Sequence, residues 1–143
     1  MGNQENDTIC GGEGNDLISG NEQSDVLAGC AGNDTIYGGK DNDTITGGKS
    51  DDILYGDLGS DSLIGGSGND IFVLKAGYGF DTIGDFTIGQ DSIGLTGGLS
   101  FSQLDFTENE RGTIIKNLLT GEQLAVTIGV TKSAIASASF LLI

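Results

Sequence analysis

Eight aspartates recur at a constant nine-residue interval along the first half of the chain: Asp7, Asp16, Asp25, Asp34, Asp43, Asp52, Asp61 and Asp70. Carboxylates serve in proton transfer, in attack on sugars and in ligation of hard cations. Glycoside chemistry uses one pair of carboxylates, whereas a regular array of like positions suits repeated ligand sites. The remaining residue types close other routes. There is no His, which removes the commonest general base and transition-metal ligand. No G-x-S-x-G elbow and no metalloprotease helix motif occurs. Cys10 and Cys30 are the only cysteines; they lack zinc-site spacing and are too few for a disulfide framework. They are expected to be structural or free thiols.

The aspartates are one column of a repeat. From Gly2, residues 2–73 divide into eight blocks of nine without a gap. Position 1 is Gly throughout, position 6 is Asp, and position 8 is large and apolar: Ile9, Ile18, Leu27, Ile36, Ile45, Leu54, Leu63 and Phe72. Position 5 is Asn except at Ser24, Asp51 and Ser60. Gly at the first positions predicts positive φ and a tight turn. The last three residues, such as Thr35-Ile36-Tyr37, predict a short strand with position 8 inward and positions 7 and 9 outward. One inward residue per nine makes no core alone. Stacked turns turn it into a continuous apolar column, which is the logic of a solenoid.

With 26 Gly, no Pro and a net charge of -15, the composition by itself reads as disordered, and only the repeat argues otherwise. Residues 1–73 hold 14 acids against Lys40 and Lys49, so the acidity belongs to the repeat. That sign argues against nucleic acid and against anionic membrane surfaces as partners. No apolar run is long enough to span a bilayer. Residues 1–7 have neither a basic nor an apolar region, so no cleavable secretion signal is expected there.

The nonapeptide G-G-x-G-x-D-x-U-x over residues 2–73 resembles the RTX (repeats-in-toxin, hemolysin-type) calcium-binding proteins. The resemblance implies an all-β fold: a right-handed parallel β-roll, a two-sheet solenoid with two nonapeptides per coil, closed by a C-terminal β cap. Turns 18 residues apart then stack along each edge. Six pairs follow: Asp7/Asp25, Asp16/Asp34, Asp25/Asp43, Asp34/Asp52, Asp43/Asp61 and Asp52/Asp70. Neighbouring strands lie about 4.8 Å apart, so poorly solvated carboxylates at that spacing repel by several kcal/mol. A cation between turns relieves this. Calcium takes six to eight hard oxygens in flexible geometry, whereas magnesium keeps its waters and zinc wants His or paired Cys. The implied cofactor is therefore Ca2+, about six ions or more, one per pair.

By the same resemblance each site takes both aspartates, the carbonyls of positions 1 and 3 from one turn, and those of positions 2 and 4 from the next. Along one edge this names Gly11, Glu13, Gly29, Ala31, Gly47 and Lys49 with Cys30, Gly32, Gly48, Ser50, Gly66 and Gly68. Along the other it names Gly20, Glu22, Gly38 and Lys40 with Gly39, Asp41, Asp57 and Gly59. Asn3, Glu5, Asn21, Gln23, Asp41, Ser50 and Asp57 stand in Gly columns. Non-Gly residues are uncommon at positive φ, although Asn and Asp tolerate it best. The sites at Asp7 and Asp25 are thus expected to be weaker. Asp41 and Asp57 read as left-handed substitutes ahead of extra rim carboxylates.

The pattern outlasts Val73. Ala76–Ile83 reads as a ninth repeat slipped by two, stacking Asp81 near Asp61. Asp85–Leu95 resembles the D-F-x-x-G-x-D-x-I segment that closes many RTX rolls. Asp81, Asp85 and Asp91 are candidate ligands; the competing reading makes them turn and capping residues. Residues 101–128 predict an antiparallel meander, with strands at Thr113–Lys116 and Gln123–Ile128 around the turn Leu118–Glu122. The tail, small residues from Ser133 and then Phe140-Leu141-Leu142-Ile143, looks like the uncleaved type I export signal typical of RTX proteins. It reads equally as a last cap strand. The expected division is 2–73 repeats, 74–95 closing repeats, and 96–143 cap and export signal.

The resemblance implies a secreted or cell-surface module that folds on calcium after export, with calcium and the type I secretion machinery as partners, and the missing catalytic motifs predict no activity of its own. The alternatives are the tail of a larger secreted enzyme and an adhesive module. Ice binding ranks low because position 3 (Gln4, Glu13, Glu22, Ala31, Lys40, Lys49, Leu58, Ser67) shows no regular Thr column. Met1 directly before the first repeat suits a trimmed chain or a short exported protein. Oligomeric state is left open.

Overall fold

The computed structural model describes residues 1–143. Eight short strands occupy the repeats: β1 Thr8–Glu13, β2 Leu17–Asn21, β3 Val26–Ala31, β4 Thr35–Lys40, β5 Thr44–Lys49, β6 Ile53–Leu58, β7 Ser62–Ser67 and β8 Ile71–Leu74. β9 (Asp81–Ile83) and β10 (Ser92–Leu95) continue them. The odd strands pair in parallel in one sheet and the even strands in the other, so the repeat region is a parallel β-roll. The ladder sets Leu27 against Ile45 and Ile36 against Leu54, one coil of two nonapeptides apart. The register slips at the closing repeats, where Leu63 meets Ile83 and Phe72 meets Ile93.

The inward column forms as the pattern requires. Ile18, Leu27, Ile36, Ile45, Leu54, Leu63 and Phe72 are buried, and Ile83 and Ile93 prolong the column. Positions 7 and 9 stay outside, apart from the buried Val73 at the exit to the closing segment. On that outer face Tyr37 and Tyr55 stack with ring centroids 4.5 Å apart. Burying one Ile or Leu contributes about 2 kcal/mol, less than the entropy cost of ordering its own nine residues. The roll therefore needs a further source of stability at its turns.

Most repeat strands are longer than the three residues expected. They run across the block boundary into positions 1 to 3, with position 1 skipped: Cys10 pairs with Ala28, then Gly12 with Cys30. The skipped peptide is free to turn its carbonyl toward the edge.

Beyond the roll, β11 (Leu104–Glu108), β12 (Gly112–Asn117) and β13 (Gln123–Ile128) form the antiparallel meander. Its turn closes where Gly121 N–H donates to the Asn117 carbonyl at 2.8 Å. β13 joins β9 in parallel, so the cap extends one sheet of the roll. A single helical turn, α1 (Lys132–Ile135), is capped by Thr131 Oγ1 accepting from Ala134 N–H at 3.3 Å. β14 (Ser139–Leu142) then lies parallel to β10 as the edge of the other sheet. Phe140 meets Phe101 and Phe106 there. The tail is thus a cap strand. No helix is long and apolar enough to cross a membrane.

The cysteines depart from expectation. Cys10 and Cys30 are joined as a disulfide with their Cα atoms 6.4 Å apart. Twenty residues of separation hide the pairing in the sequence, but one coil places β1 beside β3 and brings Cys30 two residues from Ala28, the register partner of Cys10. In the chain-entropy account, closing a loop of this size stabilises by about 3 kcal/mol. Cys10→Ser, or reduction of the calcium-loaded protein, is expected to lower its melting temperature by several degrees. An unchanged melt on reduction would show that the bridge contributes nothing.

Candidate metal sites at the roll edges

Positions 1 to 6 of each block make the turns. Asp7, Asp25, Asp43 and Asp61 line one edge, and Asp16, Asp34, Asp52 and Asp70 the other. Each aspartate N–H donates to Oδ1 of the aspartate one coil on: Asp7 to Asp25 at 2.7 Å, Asp16 to Asp34 at 2.8 Å, Asp25 to Asp43 at 2.8 Å. Asp34 to Asp52, Asp43 to Asp61 and Asp52 to Asp70 repeat the bond at 2.8, 2.8 and 2.9 Å. The aspartate carbonyls accept from the first strand residue of the next coil, as Asp16 O does from Thr35 N–H at 2.9 Å. All six expected pairs are brought together.

From Asp25 to Asp70 one oxygen of each carboxylate is thereby used, and the other is left bare. Oδ2 of Asp16, Asp25, Asp34, Asp43, Asp52, Asp61 and Asp70 is buried with no hydrogen-bond partner. From Asp25 to Asp70 these residues are only 1–2% exposed. A buried charged oxygen without a partner is strongly destabilising, and folded proteins leave only a few unpaired buried polar atoms, each with a reason.

The bare oxygens face the position 1 glycines. A Cβ on Gly29 would collide with Asp34 Oδ2 and lie 2.6 Å from the Gly47 carbonyl oxygen. A Cβ on Gly47 would meet Asp52 Oδ2 and lie 2.6 Å from Gly65 O. A carboxylate oxygen and a carbonyl oxygen from the next coil thus converge with no donor between them. This also corrects the expectation for position 1, because no glycine in that column has positive φ. Gly is needed there for space. Positive φ belongs to positions 2 and 4, as at Gly32 (124°) and Gly48 (124°). The only non-Gly residues with positive φ are Asn21, Gln23, Cys30, Asp41, Ser50 and Asp57, all in those two columns. Asp41 (73°) and Asp57 (65°) are left-handed substitutes, whereas Asn3 and Glu5 do not adopt that conformation.

Carbonyls of positions 2 and 4 also stack between coils, Cys30 O against Gly48 and Gly14 O against Gly32. At position 3, Ala31 O and Lys49 O each accept a backbone N–H, from Gly14 and Gly32. Nowhere do three or more His, Cys, Asp or Glu side chains converge in metal-ligand fashion. A cation at these edges therefore draws on backbone carbonyls beside its carboxylates, an all-oxygen donor set that fits a hard ion.

Without a cation, burial holds several of the later aspartates above the usual carboxylate range. Burial pushes Asp43 up to about 7, with the Asp25 N–H pulling the other way and the charges of Asp61 and Asp25 adding to the rise. Burial likewise lifts Asp52 and Asp70 to about 6. Asp81 rises to about 8, through burial first and then the charge of Asp61.

The later candidates separate. Asp81 extends the stack, its Oδ1 accepting from Asp61 N–H at 3.1 Å as the slipped repeat implies. Asp85 accepts Gly65 N–H at 2.9 Å with one oxygen and Gly66 N–H at 2.8 Å with the other. Asp91 accepts from Asp70 N–H at 3.1 Å and from Thr87 N–H at 2.7 Å. Both oxygens of Asp85 and of Asp91 thus accept backbone N–H groups, unlike the half-engaged aspartates of the stack. The side-chain amides of Asn21, Gln23 and Gln90 also sit on turn carbonyls. Their role escaped the sequence, although Asn21 and Gln23 were visible as breaks in the Gly columns.

No curated protein matches the chain. In structure it is similar to the AlgE6R3 subunit from the Azotobacter vinelandii mannuronan C5-epimerase, known in solution, at 25% identity and a TM-score of 0.57. That match covers 99% of this chain and 80% of the other. Residues 1–36, 19–54, 29–63, 37–72 and 47–80 each match the family model of the RTX calcium-binding nonapeptide repeat. Matched over more than half its length, the chain belongs to the RTX calcium-binding repeat family.

Proposed function

We propose that this chain is a non-catalytic module of an exported protein that stays unfolded at the low calcium inside a cell and folds at the higher calcium outside. The observation that carries the reading is the row of buried, unpartnered Oδ2 atoms. A calcium ion between coils takes those oxygens together with the position 1 and 3 carbonyls of one turn and the position 2 and 4 carbonyls of the next. For Asp16 and Asp34 the carbonyls are those of Gly11, Glu13, Cys30 and Gly32. The six aspartate pairs set an upper count of about six ions, and Asp61 with Asp81 offers one more place. Binding free energy then becomes folding free energy.

Several observations fit an extracellular life. The Cys10–Cys30 bridge suits an oxidising compartment. Extracellular calcium modules work at the high concentrations found there. Leu142 and Ile143 are exposed at an edge strand, 76% and 53%, where type I export machinery can read an uncleaved tail. In this reading residues 2–73 form the calcium roll, 74–95 close it, and 96–143 cap it and carry the export signal. A second reading, the tail of a larger secreted enzyme, is favoured by the similarity to a subunit of an epimerase.

Calorimetric titration of calcium into the chelated protein tests the binding, with Asp34→Ala alongside. The wild type is expected to take up several ions with a large heat. Asp34→Ala removes a ligand from the Asp16/Asp34 and Asp34/Asp52 sites together, so its calcium midpoint should rise by roughly tenfold or more. No heat with the wild type ends the proposal, and an unchanged midpoint in the variant shows that the edge pairing is not where the ions sit.

A further inference from the structure

The inter-turn sites are not alike. Asp7 is the one aspartate of the column absent from the row of bare oxygens. Its Oδ2 accepts Asn3 N–H at 2.7 Å, and its Oδ1 accepts the Asn3 side-chain amide at 3.2 Å. The turn stacked on it carries Asn21 at position 2 and Gln23 at position 4, at φ 85° and 68°. Both side chains fold back over the gap between the coils. Asn21 Nδ2 donates to the Gly2 carbonyl at 2.8 Å. Gln23 Nε2 donates to the Gln4 carbonyl. Gly2 and Gln4 hold positions 1 and 3 of the first block, the carbonyls that a cation between Asp7 and Asp25 would need.

From this we infer that the first coil junction is closed to metal, with two neutral amides standing where the other junctions take calcium. The inference rests on the calcium reading of those other junctions. The chemistry of the substitutes separates them. Asp41, Ser50 and Asp57 also occupy positive-φ columns, but none donates a side-chain hydrogen bond to a carbonyl of the preceding coil. A carboxylate has no proton to give there at neutral pH, and it leaves the carbonyls for a cation. Among these substitutes only the amides supply N–H groups to the carbonyl oxygens, and they add no charge. Gln90 repeats the device at the other end, its Nε2 donating to the Gly68 carbonyl on the last regular turn. A terminal junction has a neighbouring coil on one side only, so an ion there would be the most exposed to loss. In the folded roll an amide seal holds the end coil by hydrogen bonds that need no ion at that junction.

The test restores the glycines. Asn21→Gly with Gln23→Gly rebuilds the regular turn without strain, because both positions already have positive φ. Native mass spectrometry of the calcium-loaded proteins is expected to show one more bound ion in the double variant than in the wild type. Equal ion counts in two calcium-loaded, folded proteins overturn the inference while leaving the calcium reading intact. No bound calcium in the wild type overturns the calcium reading instead. A second measurement needs no variant. In the calcium-saturated wild type, the side-chain amide protons of Asn21 and Gln23 should exchange slowly with solvent. Free exchange of both would mean that the amides are displaced and the junction is open.

Discussion

Calcium added to the chelated chain at neutral pH is expected to produce a steep, cooperative gain of far-UV β signal. The physical case begins with what each nonapeptide lacks. It buries one apolar side chain and carries a carboxylate that stacking forces into a buried row. Residues 1–73 hold 14 acids and two lysines, so closing the coils without cations concentrates negative charge on both edges. Calcium reverses that sign locally and fills the bare oxygens. At free calcium a hundredfold above the dissociation constant each site stabilises the fold by about 2.7 kcal/mol. Five such sites supply about 13 kcal/mol, as much as the whole net stability of an ordinary domain, about 5–15 kcal/mol. Each ion bridges two coils, so nearest-neighbour coupling along the solenoid makes the transition steep. Magnesium should fail at the same concentration, because it gives up its waters reluctantly. A fully folded spectrum in excess chelator at neutral pH would end the mechanism.

Acid should partly replace calcium. The carboxyls of Asp52 and Asp70 titrate near 6, Asp43 near 7 and Asp81 near 8 in the metal-free fold, against an ordinary value of 3.8. Burial is the leading cause in each case. A group whose folded value lies above its unfolded value favours folding at low pH. Its stabilisation is fully present below the unfolded value and is lost as pH rises through the folded one. The metal-free roll is therefore expected to be most stable near pH 4 and to lose stability between about pH 6 and 8. In calcium the trend reverses, since protons and calcium compete for the same oxygens, and the calcium midpoint should rise as pH falls through that window. Thermal melts in chelator at about pH 4.5 and about pH 8 decide the matter. A higher melting temperature at the alkaline end would show that the buried carboxylates are not what opposes folding of the metal-free chain.

The contrast between the aspartate stack and the amide-sealed first junction shows how far each level of description reaches. The nine-residue period, the invariant Asp column and the apolar column at position 8 together specify a solenoid, and the stacked pairs from Asp7/Asp25 to Asp52/Asp70 are legible without coordinates. The slipped partner of Asp61 is legible too, because Asp81 keeps the same neighbours in a shifted frame. The meander is readable from Thr113–Lys116 and Gln123–Ile128, whose β-favouring runs flank a Gly-containing turn. All of these are properties of local period and residue type.

Other properties needed the third dimension. Position 1 is Gly because a Cβ there would strike Asp Oδ2 and a carbonyl of the next coil, a contact between residues far apart in the chain. Cys10 and Cys30 meet because one coil carries the chain back beside itself. Asp85 and Asp91 resemble ligands by type and spacing, and only the fold brings backbone N–H groups of Gly65, Gly66, Asp70 and Thr87 to both oxygens of each. Asn21 and Gln23 look like flaws in a Gly column until the first turn is laid under them and its carbonyls receive their amides. Repetition in sequence sets which residues face one another from coil to coil. Which of their polar atoms are left unpaired depends on every donor within hydrogen-bond reach, and only the folded chain assembles those donors.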